Sequence, residues 1–203
     1  MALGTATDAR ELRFDAGRHG LDLLATTHPG ERLDRVEVLC AWITGSGLVP
    51  PGTPLGHADP SWLFGFRELR ACTDALVRGA LRPAAPGAAY DRALARVNEF
   101  ARAAPPVPCA VRVEDGTLLR RLDRPPDCPA LLAAVARDVV DLLTDPVARA
   151  GLRQCAGVDC PIVYLDNSRG RRRRWCSSEV CGNRERVARH RRRAALTGAP
   201  LPK

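Results

Sequence analysis

The sequence predicts a mainly α chain with a β-hairpin (α+β), in which a helical N-terminal domain precedes a small C-terminal module built around cysteines. Three observations predict it. Apolar residues recur at helical spacing through most of the first 150 positions, between breaks rich in proline and glycine. One segment, 109–122, alternates with period two around Asp115-Gly116, a hairpin turn signal. Four of the eight cysteines crowd into 155–181, whereas Cys40, Cys72, Cys109 and Cys128 stand far apart and read as buried apolar residues.

A length of 203 residues gives room for one ordinary domain and a small module. With 45% hydrophobic and 27% charged residues the composition is globular rather than disordered. No run approaches the ~18 uncharged apolar residues of a membrane span, and Met1–Phe14 has no apolar signal-peptide core. A cytoplasmic protein with no membrane partner is therefore expected. The net charge of +8 is unevenly placed: 152–203 carries 13 Arg or Lys against 4 Asp or Glu, and 1–151 carries 18 against 19. The basic excess thus belongs to the cysteine-rich end.

Element by element, residues 1–17 read as loosely structured. A short helix is expected over His19–Thr26, with Leu21, Leu23 and Leu24 apolar. Asp34 is placed to cap a helix running to about Thr44, with Val36, Leu39, Cys40 and Ile43 on one face. Gly45 and Gly47 end it, and Pro50, Pro51 and Pro54 make a linker. Asp59-Pro60 is a strong helix start, opening a helix to Leu81 that carries Leu63, Phe66, Leu69 and Leu76 inward. After a break at Pro83, Pro86 and Gly87, a helix over Ala88–Ala103 presents Leu94, Val97 and Phe100, until Pro105, Pro106 and Pro108 stop it. The hairpin follows. A helix over 129–143 then buries Leu131, Leu132, Val135, Val139 and Leu142, and Asp145-Pro146 starts a last short helix. The predicted boundaries are a helical domain over 1–151, a cysteine module over 152–196 and a disordered tail over 197–203.

Cys155-x4-Cys160 and Cys176-x4-Cys181 flank a spacer of 15 residues. In a reducing compartment two such pairs read as a metal site rather than as disulfides. Four thiolates in a closed tetrahedral site are what structural Zn2+ takes, with iron–sulfur ligation the less favoured choice. The spacer reads as a hairpin, out through 162–165, turning at Asn167–Gly170 and returning through Arg172–Trp175. Ser177 or Ser178 then caps a helix bearing the second pair. Knuckle, hairpin, helix is the order of a treble-clef-like zinc finger. A module of about 45 residues is too short to bury an adequate core unaided, and a structural zinc site contributes on the order of 10–16 kcal/mol to folding.

At these residues the sequence resembles the CGNR zinc-finger proteins. The matching text is Cys155-x4-Cys160, Tyr164-x-Asp166-x-Ser168-Arg169, Arg174-Trp175-Cys176-Ser177 and Cys181-Gly182-Asn183-Arg184. The N-terminal part resembles the ABATE domain that precedes the finger in that family, through Leu21-Asp22-Leu23-Leu24-Ala25-Thr26 and Leu39-x-x-Trp42-x4-Gly47-Leu48. It departs at Ala25, where the family carries Asn. The resemblance implies a bacterial, stress-linked transcription regulator.

Between Arg169 and Arg193 there are 11 Arg, opposed by Glu179 and Glu185 alone. Arg169, Arg171, Arg172, Arg173 and Arg174 on the expected hairpin, and Arg184, Arg186, Arg189, Arg191 and Arg192 on the helix, are the candidate nucleic-acid contacts. The helical ones spread over more than half the circumference, which suits phosphate contacts better than base reading. Asp166, Ser168, Trp175, Gly182 and Asn183 are expected to support the module. Gly182 would let N–H groups approach the sulfurs, Arg184 would pair with Asp166 or reach a phosphate, and Trp175 would join the core of the finger. The reading is a regulator whose finger binds DNA and whose helical domain takes a small ligand or forms a homodimer. The alternative is a zinc-stabilised RNA- or protein-interaction scaffold. His19, His28, Asp22, Asp34 and Glu37 are the one local polar cluster available to an enzyme, and no catalytic residue is assigned.

Overall fold

The computed structural model describes residues 12–82 and 87–197. The expected disordered tail lies outside these residues beyond Thr197, as do Met1–Glu11 and the break at Pro83 and Pro86. The elements run α1 His19–Ala25, α2 Val36–Gly45, α3 Pro60–Leu81, α4 Ala88–Phe100, β1 Pro108–Arg112, β2 Leu118–Leu122, α5 Cys128–Thr144, α6 Pro146–Ala150, β3 Leu152–Gln154, β4 Val163–Leu165 and α7 Asn183–Thr197, with a π-helical turn at Ser178–Gly182 entering α7. The chain is mainly α with two small antiparallel hairpins, β1–β2 and β3–β4. Among the described residues no helix is long and apolar enough to cross a membrane.

Three helices start on one device, an Asp side chain accepting a backbone N–H while proline takes one of the first helical positions. Asp59 accepts from Ser61 at 2.7 Å, Asp127 from Ala130 at 2.8 Å and Asp145 from Val147 at 2.8 Å. α2 departs from expectation. Its N-cap is Arg35, with no side-chain cap bond, because Asp34 sits one residue too early and pairs with Arg35 at 3.6 Å. α4 also differs: it ends at Phe100, and Ala93 and Val97 face inward while Leu94 is 40% exposed. An ion pair from Arg96 to Glu68 at 2.7 Å ties α4 to α3.

Two apolar cores result. The first joins α1–α5 through Leu23, Leu39, Trp42, Phe66, Leu69, Leu76, Leu131 and Val135, with Trp42 edge-on to Phe66 at 5.8 Å. The second joins Leu21 and Leu24 of α1, Val77 of α3 and Leu142 of α5 to Leu152, Ile162, Val163, Tyr164, Leu165 and all four clustered cysteines. α1 therefore sends Leu23 into one core and Leu21 and Leu24 into the other. It can do so because Gly20 meets α5 without a side chain: a Cβ there would lie 2.5 Å from Val139 Cγ2.

The strand pairing of the module overturns one expectation. Val163–Leu165 pairs with Leu152–Gln154, in the register Leu152↔Leu165, and not with Arg172–Trp175. The stretch 172–175 forms no strand; its carbonyls are taken singly, Arg174 O by Ala156 N at 2.8 Å and Arg173 O by the Tyr164 hydroxyl at 2.6 Å. Residues 12–17, expected to be loose, form no regular element but are fastened. Ala16 is fully buried, and its carbonyl accepts from Leu165 N at 2.8 Å, prolonging the pairing on β4.

Candidate metal centre and basic surface

β3 and β4 carry the first cysteine pair at their turn. Cys155 N donates to Ile162 O at 2.9 Å and Cys160 N to Gly157 O at 3.2 Å, closing a tight loop in which Asp159 adopts φ +57°. Gly157 lies against the sulfurs, and its N–H donates to Cys155 Sγ at 3.4 Å, so the approach of an N–H group expected at Gly182 is made by Gly157. Gly182 N instead donates to Ser177 O at 2.9 Å. Ser177 caps the π turn, accepting from Val180 N at 3.2 Å, and so delivers Cys181 to the cluster.

All four Sγ atoms lie within 4.8 Å of one another, and every one of these residues is buried. Cys160 Sγ is 3.7 Å from Cys176 Sγ, and Cys176 Sγ is 3.6 Å from Cys181 Sγ. A tetrahedron with metal–sulfur distances of ~2.3 Å has edges of about 3.8 Å, so the sulfurs stand where a tetrathiolate ion would hold them and well beyond disulfide length. Cys155 Sγ accepts backbone N–H groups from Cys176 at 3.3 Å and Gly157 at 3.4 Å. Against the penalty of burial, these bonds hold the Cys155 thiol below its ordinary value. Burial pushes Cys160 up to about 11 and Cys176 up as well. Four sulfurs this close and this dry carry thiolate charge together only around a cation. The donor set therefore fits a closed, structural metal site.

Asp166 supports the centre differently from expectation. Its carboxylate accepts from Ser168 N at 2.9 Å and Arg173 N at 3.0 Å, clasping the loop 167–172. Bonding from Ser168 and the Arg173 amide holds this carboxyl below its usual range. Both oxygens serve the loop, so the expected pairing with Arg184 is not formed; Arg184 and Asn183 are exposed at the start of α7.

The comparisons with known proteins follow this division. Residues 17–146 match the ABATE family model, described as "Putative stress-induced transcription regulator". The chain belongs to the ABATE family. Residues 152–194, with the four cysteines, match the CGNR zinc finger. No curated protein matches the chain.

In this ABATE protein the arginines fall into two groups. Arg173 is turned inward: its guanidinium donates to Trp175 O at 2.9 Å, to Asp15 O at 3.0 Å and to Cys176 O, and lies 4.5 Å from the centre of the Tyr164 ring. Sequence spacing grouped it with its neighbours, but it is a brace of the finger. Arg169, Arg171, Arg172 and Arg174 are exposed, as are Arg184, Arg186, Arg189, Arg191 and Arg192 on α7. Arg171 reaches Val147 O at 3.4 Å, Arg186 reaches Ser178 O at 3.3 Å and Arg192 pairs with Glu185 at 2.9 Å. Arg174 lies 5.3 Å from the Trp175 ring, which is half-buried and packs against the second core, its indole N–H enclosed without a hydrogen-bond partner. Arg172, Arg174, Trp175, Ser177 and Ser178 rim a cleft of about 470 Å³ that Asp15 and Glu179 also line. One residue that sequence reasoning missed stands at the centre itself: Arg13 donates to Cys176 Sγ at 3.4 Å, across 163 residues of chain.

Proposed function

We propose that the protein is a zinc-dependent transcription regulator whose C-terminal finger holds DNA mainly through phosphate contacts. The observation that carries this reading is the exposure of nine of the ten candidate arginines on one 45-residue module around a buried four-sulfur centre. Zn2+ would be held by Cys155, Cys160, Cys176 and Cys181, and would supply the tetrahedral junction between knuckle and helix. The ion would be structural, because four protein ligands leave no open position to activate water. Arg172 and Arg174 at the cleft, and Arg184, Arg186, Arg189 and Arg191 along α7, are spread too broadly to read one groove edge. That distribution supports backbone contacts. The helical domain is left to bind a small ligand or a second copy; Val111, Leu118 and Leu119 on the exposed β1–β2 hairpin support a protein contact there.

Fluorescence anisotropy with random-sequence duplex DNA tests the reading on the metal-loaded chain. Affinity should be measurable at low salt and fall steeply as salt rises, with log K dropping by ~0.9 per phosphate contact. Arg172→Ala and Arg174→Ala should each weaken every duplex about equally and reduce the salt slope by about one contact. An absence of duplex binding at low salt overturns the reading in favour of a protein scaffold, and preference for single-stranded or folded RNA redirects it to RNA.

A further inference from the structure

We propose that Arg13 is the cation that steadies the four-sulfur centre and binds the retention of its metal ion to the helical domain. The inference rests on the metal reading above but not on DNA binding.

A divalent ion with four thiolates carries a net charge of −2, and burial makes that charge costly. Among the described residues one charged side chain from outside the finger reaches a ligand sulfur, the guanidinium of Arg13, at 3.4 Å from Cys176 Sγ. It is held there from both sides. The Asp15 carboxylate accepts from the same nitrogen at 3.0 and 2.8 Å, fixing the guanidinium's direction. The Asp15 carbonyl accepts from Arg173, whose guanidinium also reaches Cys176 O, so the strap and the ligand share a brace. Next along the chain, Ala16 O accepts from Leu165 N at 2.8 Å and Ala16 N donates to the buried Asp22 of α1 at 2.9 Å. Residues 13–17 are therefore a strap that begins on a ligand sulfur, crosses β4 and ends on α1.

The physical consequence is specific. A charge-assisted N–H···S bond draws electron density from Cys176 toward the guanidinium. That lowers the thiolate's nucleophilicity toward electrophiles, and it offsets repulsion among the four sulfurs, so the ion leaves more slowly. Arg13 acts through Cys176; it is a positioning residue and not a ligand. Loss of such a partner to a ligand typically costs 10–100-fold in metal affinity.

Arg13→Gln and Arg13→Lys in the full chain test this. The readouts are zinc transfer to a chromogenic chelator and the rate of Cys176 alkylation by N-ethylmaleimide, mapped by mass spectrometry, with far-UV circular dichroism as a check of folding. Arg13→Gln should release zinc at least tenfold faster and expose Cys176 to alkylation first among the four, whereas Arg13→Lys, which keeps the charge, should recover most of the difference. Equal release from wild type and Arg13→Gln overturns the proposal. Equal release from the Gln and Lys variants, both fast, also overturns it, because the side chain would then act by packing rather than charge. Should the wild-type chain hold no stoichiometric metal, the metal reading itself falls and this inference with it.

Discussion

The two cores reach stability by different routes. The first is wide enough to stand on burial: Trp42, Phe66, Leu39, Leu69, Leu76 and Leu131 are fully enclosed, and its two longest helices, α3 and α5, begin on Asp side-chain caps. The second has small strands of three residues each, and its centre is four sulfurs rather than a hydrocarbon nucleus. It completes itself by borrowing Leu21, Leu24, Val77 and Leu142 from the helical part. The finger is thus not a free module on a linker. Here the metal site and the neighbouring helices together supply what the finger's small apolar area lacks.

The largest test of this contrast is Cys176→Ser. Losing one of four ligands should abolish stoichiometric metal, and about 10 kcal/mol of coupled binding energy with it. Because Cys176 shares its core with α1, the effect should spread: amide exchange should lose protection over Leu21–Ala25 as well as over 152–182, while α3 and α4 around Phe66 stay protected. Protection of α1 equal to wild type would show that the second core ends at the finger.

Next in size are paired cavity variants. Phe66→Ala in the first core should cost ~3–5 kcal/mol and leave zinc release unchanged, whereas Leu21→Ala should cost ~2–5 kcal/mol and accelerate it. Chemical denaturation together with chelator competition separates the two. Equal effects on metal retention from both variants would mean that the cores behave as one.

The boundary between the cores was the least legible part of the chain. The starts of α3 and α6 were legible because Asp59-Pro60 and Asp145-Pro146 are local start signals, and the expected helix over 129–143 falls one residue short of α5 at each end. The four ligands were legible because paired spacing is also local. The module's hairpin was misread for a physical reason. Val163–Leu165 needs one partner, and both Leu152–Gln154 and Arg172–Trp175 lie within reach. The choice is made by Asp166, which clasps Ser168 and Arg173 and bends the second candidate away. Arg13 and Arg173 were invisible as braces because their partners are fixed only in three dimensions. Arg13 stands 163 positions from its sulfur, and Arg173 looks like its four arginine neighbours.

A smaller effect should come from Asp22, which sits where the cores meet. Burial pushes its carboxyl up to about 7; Asp15 and Asp138 add to the rise, while the Ala16 N–H and Arg13 oppose it. Folded Asp22 therefore holds its proton more tightly than the unfolded chain, whose value lies near ~4. The stabilisation from the protonated form is complete below that value and is lost as pH rises to about 7. Arg18 pairs with Asp138 at 3.2 Å alongside. Unfolding free energy followed between pH 4 and 8 should carry this downward component, and Asp22→Asn, which can still accept from Ala16, should flatten it. An unchanged slope in Asp22→Asn would assign the pH dependence elsewhere.

The smallest prediction uses the helix caps, which are chemically alike in the two regions. Asp127→Ala at the start of α5 and Asp145→Ala at the start of α6 each remove one side-chain bond to a helix amide, at 2.8 Å in both cases, and should each cost about 1 kcal/mol. Their consequences should nonetheless differ. Asp127 opens the helix that carries Leu131 into the first core, whereas Asp145 opens the single turn that places Ala148 and then β3 in the second. At matched loss of stability, Asp145→Ala should release zinc faster than Asp127→Ala. Identical release would mean that α6 can fray without moving Cys155, and the metal centre would then depend on α1 and its strap alone.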